Sequence, residues 1–379
     1  LPERSIEILE EYSFVAKIAY IDHSFHKKTL STRFLTEILH RYGHAVDYFW
    51  DESWAGGGHV SWGSVKNHDV VIMFQAYSPI LEQYYRTLHP NVIFIPMLDQ
   101  FGIWKGPLFD LSRFWEPFQG SKVISFSSAV HAISVGAGIA SHHCRYYQPV
   151  ANVDLSCMQG LHGFFWLRRE EQISWKTVRT LISKTNFDSF HVHLAVDPGS
   201  SEPELPSCED IDQYRITMST WFKEKNDLYK VLEKANVFFA ARMEEGIGQS
   251  FLEAMARGQC VVAPNNGTMN EYILHGINGL LYESTDPQPL TFNSVQALGR
   301  AGRESVSIGQ RSWQEGEERL VRYILTPSEQ LYVGKYVHQG ASPTLISHLD
   351  SRLRYGARYS AIFKRSKQLF RVLRGSNEK

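Results

Sequence analysis

The stretch EEGIGQSFLEAMARG, Glu244 to Gly258, sets two carboxylates, Glu245 and Glu253, eight positions apart around the turn Gly246-Ile247-Gly248 and a helix-forming run. Glycines just ahead of a helix let the backbone close on a bound group, and a helix amino terminus offers unpaired N–H donors with a partial positive charge. That is a seat for phosphate, yet both carboxylates would repel one. Their natural partners are hydroxyls, which donate hydrogen bonds to them. Sugar and ribose hydroxyls on either side of a diphosphate would satisfy all of these groups at once. A plainer reading stands beside this one: Ser250 and Glu253 have the spacing of a capping box, as do Thr268 and Glu271.

Other polar groups point less sharply. Asp210-Ile211-Asp212 has the D-x-D form that can hold a divalent metal, but it follows Pro- and Ser-containing sequence and reads as solvated surface. His191 and His193 flank one residue of a strand, and no third ligand stands nearby. Cys144, Cys157, Cys208 and Cys260 show no C-x-x-C spacing, which fits reduced thiols. No metal and no cofactor are expected.

The elements that position these groups follow from the hydrophobic pattern. FVAKIAYI (Phe14–Ile21) reads as a buried strand, LSTRFLTEILHRYG (Leu30–Gly43) as an amphipathic helix ended by glycine, and AVDYFW (Ala45–Trp50) as the next strand. HDVVIMFQ, NVIFIPML and KVISFS continue the series to about residue 150. After YYQPVANVD (Tyr146–Asp154) the alternation restarts with LHGFFWL, SFHVHLAV, YRITMS, ANVFFAA, QCVVAP and NGLLYE, while Asp197–Asp210 reads as a surface loop. Strands without polar alternation, separated by helices, imply parallel sheets covered on both faces. The fold class is therefore α/β, with two Rossmann-like doubly wound domains facing across a cleft. Their bounds are 1–152 and 153–326, followed by a tail over 327–379. In such sheets ligands bind beyond the strand carboxyl ends.

Composition excludes some classes. The 379 residues are 43% hydrophobic and 21% charged with a formal net charge of −1, so no global field points to nucleic acid. No apolar run reaches the roughly 18 residues of a membrane span, and charges stand near the amino end. A cytoplasmic protein is expected.

Glu244 to Tyr282, EEGIGQSFLEAMARGQCVVAPNNGTMNEYILHGINGLLY, resembles the donor-binding segment of retaining GT-B glycosyltransferases of family 4 (group 1). Leu298–Ile324 is similar to the helix pair that follows in that family, and Tyr42–Phe49 resembles its first helix-to-strand turn. The resemblance implies that Glu245 hydrogen-bonds the transferred sugar, Glu253 holds the ribose, and the backbone of Gly246, Ile247 and Gly248 lies along the donor. Gly267, Thr268, Asn270 and Glu271 match the loop near the phosphates. Loss of a nucleoside diphosphate builds negative charge that must be stabilised. In the family an Arg and a Lys after the first strand of the second domain do this, which implies Arg169 with Lys176, and Arg168 as the neighbouring choice.

The first domain would bind the acceptor. Asp99 stands where the family often places a polar residue near the sugar, and His23 and His26 are polar groups in the loop after the first strand. The implied activity is metal-independent, retaining transfer from a nucleotide diphosphate sugar to a hydroxyl of a glycan or glycolipid. A sugar-nucleotide epimerase or hydrolase on the same fold, or a silent binding subunit, are the alternatives. Residues 350–375 are basic, with apolar positions at helical spacing. They suit a terminal helix packed on the first domain, or peripheral contact with anionic membrane at its inner face.

Overall fold

Unbroken apolar runs become the central strands of two parallel sheets. The computed structural model describes residues 14–331 except 30, 54–55, 76–87, 100–114, 116–117, 119 and 198–199. In the first half, β1 (Lys17–His23), α1 (Arg33–Arg41), β2 (Ala45–Asp51), β3 (Val70–Phe74), β4 (Val92–Ile95), β5 (Lys122–Ser125), α2 (Ser128–Gly136) and β6 (Ala140–His143) follow in order. The strands pair in parallel in the order β2-β1-β3-β4-β5-β6. Every residue of β3 and β4 is buried, as expected when helices and loops cover both faces. Ile18 sits between Val46 and Val70 in register, so β1 is an interior strand next to the edge strand β2, and the chain reverses its direction of travel between β1 and β3. Leu35, Ile38 and Leu39 turn one face of α1 onto this sheet, and Gly43, at φ +80°, takes the left-handed conformation just past its end.

The second half repeats the plan. It runs β7 (His162–Trp166), α3 (Trp175–Ile182), β8 (Ser189–His193), α4 (Cys208–Tyr214), β9 (Ile216–Ser219), α5 (Lys225–Leu232), β10 (Val237–Phe239), α6 (Gln249–Ala256), β11 (Cys260–Pro264), α7 (Met269–Tyr272), β12 (Leu280–Tyr282) and α8 (Val295–Leu325). The sheet order is β12-β11-β10-β7-β8-β9, with the switch point between β7 and β10. Ligand sites in doubly wound sheets lie beyond the carboxyl ends at such a point.

Two expectations are corrected here. The polar stretch Asp197–Asp210 is not loop to its end, because Ser207 accepts a hydrogen bond from the Asp210 N–H and starts α4 at Cys208. The helix pair expected over Leu298–Ile324 is one helix of 31 residues, α8. No proline interrupts it, and its glycines serve close packing. A Cβ at Gly299 would lie 2.2 Å from the Gly258 carbonyl oxygen, and one at Gly309 would lie 2.4 Å from the Tyr147 ring.

At 1.5 Å per residue α8 extends about 46 Å, long enough to leave the second domain and dock on the first. Its last carbonyls accept hydrogen bonds from Lys122 Nζ (Tyr323 O 2.6 Å, Ile324 O 2.8 Å) and Asn91 Nδ2 (Ile324 O 3.0 Å). Lys122 on β5 is fully buried. Burial pushes its ammonium down to about 6, and the carbonyls it donates to lie at the negative end of the helix dipole. One apolar cluster bridges the domains, through Met97 and Ile247 on one side and Phe126 and Trp313 on the other. The basic segment 350–375, expected as a terminal helix, lies outside the described residues.

Candidate functional site

Three arginines converge at the switch point of the second sheet. The chain leaving β7 carries Arg168 and Arg169, the chain leaving β8 carries Asp197, and the chain leaving β10 carries Arg242. The Asp197 N–H donates to the Arg168 carbonyl at 2.9 Å, which aligns the first two segments. Asp197 Oδ1 then accepts from Arg168 Nε at 2.7 Å, and Oδ2 from Arg169 Nε at 3.0 Å and Arg242 Nη2 at 2.8 Å. Burial opposes ionisation of Asp197, but Arg168 and Arg242, by charge and by hydrogen bonds, hold its carboxyl below the usual carboxylate range. Both arginines of the expected pair of alternatives therefore reach the cluster. Lys176 does not join it: it is exposed in the first turn of α3, and among the described residues none of the cluster's ion pairs includes it. The phase of α3 explains this, since Trp175, Val178, Leu181 and Ile182 are the buried face.

Asp197 and Arg242 are absent from the sequence-based set. Each is the charged residue that closes a buried apolar strand run, LAVD and FFAAR, and that position was the available signal.

Glu245 lies three residues beyond Arg242 and is 9% exposed. Burial pushes its carboxyl above the usual glutamate range; Arg242 and Arg168 pull it back, and Asp99 and Asp197 push it further up. Thr268 fixes the backbone there by donating its hydroxyl to the Glu245 carbonyl. Thr268 is fully buried at φ +72°, a strained conformation for a β-branched residue. Asn266 Nδ2 adds a bond to the Met243 carbonyl at 3.0 Å, so the loop after β11 is stitched to the loop after β10. Asn270 is exposed and its side chain donates to Asn265 Oδ1 within the same loop at 3.3 Å.

The capping box expected at Ser250 and Glu253 does not form. Gly248, at φ +77°, turns the chain into α6 before Ser250, and as the N-cap it has no side chain to bond the first N–H groups of the helix. Glu253 lies one turn further on and lines a cavity of about 370 Å³ with Tyr229, Arg257 and the linker Gln148–Asn152. Arg257 stacks over the Tyr229 ring at 4.4 Å and approaches the Glu253 carboxylate at 4.0 Å. The two glutamates thus occupy different surroundings, one buried among arginines and one on a cavity wall.

The first domain closes over this site. Asp99, beyond β4, accepts from Arg242 Nη1 at 2.7 Å across the cleft. A Cβ at Gly246 would lie 2.7 Å from Met97 Sδ, and one at Gly267 would lie 2.4 Å from a Leu98 methyl. These glycines, expected to admit a donor, admit the chain after β4. Ile247 joins the bridging apolar cluster.

The capping box read at Thr268 and Glu271 does not form, and the Glu271 carboxylate reaches α2 of the first domain instead. There it accepts from Ser127 Oγ (2.9 Å), Ser128 Oγ (2.7 Å) and the Ser128 N–H (2.8 Å), clasping the two domains at a helix amino terminus.

His23 and His26 lie together at the carboxyl end of β1 beside Asp22. Of the remaining polar candidates, Asp210 is a buried partner of Trp175 Nε1 (2.9 Å) and Arg179 (2.7 Å), which makes it structural. His191 and His193 both bond Ser219 Oγ at 2.8 Å, and burial pushes both down to about 4. All four cysteines are free thiols. Among the described residues no helix is long and apolar enough to cross a membrane.

Residues 200–293 match the family model described as Glycosyl transferases group 1. That quarter of the chain holds Arg242, Glu245, Glu253 and Glu271 but not Arg168 or Arg169. The sequence matches none of the curated proteins compared with it. Among solved structures it is similar to sucrose-phosphate synthase from Thermosynechococcus elongatus, with TM-score 0.63 and 14% identity over 82% of this chain and 99% of that one. It is similar also to Anabaena HepE in complex with UDP and glucose (TM-score 0.55, 13% identity, 81% and 100%). A third is the lipopolysaccharide outer core galactosyltransferase WaaB (TM-score 0.53, 13% identity, 81% and 99%). At these identities the likeness establishes the fold, two Rossmann-like domains of the GT-B type.

Proposed function

We propose that this chain transfers a sugar from a nucleotide diphosphate sugar to a hydroxyl of a glycan or glycolipid, with retention at the anomeric carbon. One observation carries the reading: Arg168, Arg169 and Arg242 gather at the switch point of the second sheet, beside the buried Glu245 and the uncapped start of α6. The bond from the anomeric carbon to the terminal phosphate oxygen breaks, the acceptor oxygen bonds to that carbon from the same face, and the acceptor proton passes to the departing phosphate, whose growing negative charge is what guanidiniums and helix N–H groups stabilise. The arginines supply this charge from the protein, so the donor side works without a metal. Glu245 orients the transferred sugar through its hydroxyls, and Glu253 with Tyr229 takes the ribose and base along α6.

Donor entry requires Asp99, Met97 and Leu98 to withdraw, because they cover Arg242, Gly246 and Gly267. The acceptor then meets the donor from the first domain, with Asp99 at the junction. The likeness to a UDP-bound HepE and to WaaB supports uridine donors and a lipid-linked glycan as the first candidates.

A thermal-shift screen of UDP-, GDP- and dTDP-sugars tests the donor half, since a ligand that binds the folded state raises the melting temperature with affinity. Nuclear magnetic resonance of the product reads the anomeric configuration. Donor consumed without acceptor would favour an epimerase or hydrolase, and binding without turnover a silent subunit.

A further inference from the structure

The carboxyl end of β1 holds a cluster that the donor site does not use. Asp22 is fully buried. Its Oδ1 accepts from His26 Nδ1 at 2.7 Å and from the His23 N–H at 2.8 Å, while Oδ2, also buried, has no hydrogen-bond partner among the described residues. A buried carboxylate oxygen without a donor is costly, and a cation is the group that would satisfy it. The His23 and His26 rings stand with centroids 3.8 Å apart.

We propose that Asp22, His23 and His26 form a site for a divalent transition-metal ion of the zinc class. Each can present one ligand atom such that all three lie within 4.8 Å of one another. Tetrahedral coordination at zinc–nitrogen distances of about 2.0–2.1 Å sets ligands about 3.4 Å apart, so side-chain rotations of about an ångström close the site. His26 Nδ1 lies 2.7 Å from Asp22 Oδ1, so on coordination it gives up its proton and the ion takes the hydrogen's place between the two groups. His23 Nε2 meets Gln75 Oε1 at 3.0 Å, and donation there keeps its lone pair on Nδ1. Partners of this kind orient metal-bound imidazoles.

Two imidazoles and a carboxylate suit zinc, iron, cobalt or nickel, whereas magnesium and calcium prefer oxygen alone. Three protein ligands leave a coordination position open, the pattern of sites that act on a bound oxygen. The cluster sits at the switch point of the first sheet, where β1 parts from β3. One strand, β3, separates it from β4, whose loop carries Asp99, a spacing of about 10 Å. The ion's use rests on the proposed transferase reading: an acceptor hydroxyl or phosphate oxygen would fill the open position, away from the donor pyrophosphate. The site itself does not rest on that reading.

The test is equilibrium dialysis of the full chain against micromolar zinc chloride, with metal counted by mass spectrometry and geometry read from the visible spectrum after cobalt substitution. The wild type should retain a single equivalent of zinc and give an intense low-symmetry cobalt spectrum. Asp22→Asn, which keeps the side-chain shape, and His26→Ala should each lower affinity about tenfold or more. Absence of stoichiometric zinc in the wild type, or undiminished uptake in both variants, overturns the proposal. Thermal shift by UDP, measured on the same variants, separates this result from failure of the transferase reading.

Discussion

Glu271→Ala removes the clasp between the domains. The carboxylate is 10% exposed and receives two serine hydroxyls and one backbone N–H at the start of α2, all within 2.9 Å. Hydrogen bonds to a charged group contribute about 1.5–3 kcal/mol when broken from one side, and a carboxylate at a helix amino terminus adds about 0.3–1 kcal/mol. Some of the loss is recovered because water reaches the freed serines at the cleft edge, so a net loss of about 2 kcal/mol is expected. Urea denaturation followed by tryptophan fluorescence reads that loss, and a cycle with Ser128→Ala should give a coupling of about 1 kcal/mol. Small-angle scattering should show a larger radius of gyration for Glu271→Ala, with the same far-ultraviolet spectrum. If stability, coupling and radius all match the wild type, the clasp does not hold the domains in solution and the closed arrangement has been misassigned.

Asp197→Ala leaves three arginines without their shared carboxylate, and a loss of about 3–5 kcal/mol by denaturation is expected. Because the folded Asp197 titrates below its unfolded value, its contribution is present above about pH 4 and disappears as pH falls through the lower folded value. Acid unfolding of Asp197→Asn should therefore show a weaker pH dependence. Glu245 has the opposite sign: its raised value makes the ionised form less stable in the fold, so its contribution is full below the unfolded value and fades as pH rises through the folded one. Glu245→Gln should match or exceed the wild-type melting temperature at neutral pH while losing about 100-fold or more in transfer, the scale of a lost transition-state contact; equal turnover would remove Glu245 from the site. Gly299→Ala should cost about 1–3 kcal/mol, since its methyl would strike the Gly258 carbonyl 2.2 Å away, and an unchanged denaturation midpoint would mean that α8 packs differently.

The sheets were legible because parallel strands covered on both faces leave apolar runs without alternation, as VVIMF and VIFI show. Spacing singled out Glu245 and Glu253, but not that one would be buried among arginines and the other would line a cavity. Arg242 was not legible, because its partners Asp197 and Asp99 lie 45 and 143 positions away and only the folded sheets bring their carboxyl ends together. Lys176 stands exposed in the first turn of α3 because the phase of that helix turns Trp175, Val178, Leu181 and Ile182 inward, a matter that spacing along the chain does not decide. Glu271 carries the spacing of a local cap, yet a left-handed Thr268 pre-empts that cap and frees the carboxylate for a helix 143 positions earlier. Local rules were overruled where the two domains touch.

The long helix α8, rooted in the second domain and pinned by Lys122 and Asn91 to the first, gives any opening of the cleft a fixed axle. Contacts at the mouth, Asp99 to Arg242 and Glu271 to α2, can part while the pivot stays intact. Swinging about such an axle moves the mouth far and the pivot hardly at all. Parting of the contacts that Met97, Leu98 and Asp99 make at that mouth would uncover the arginines while the hinge end of the helix keeps its carbonyl bonds.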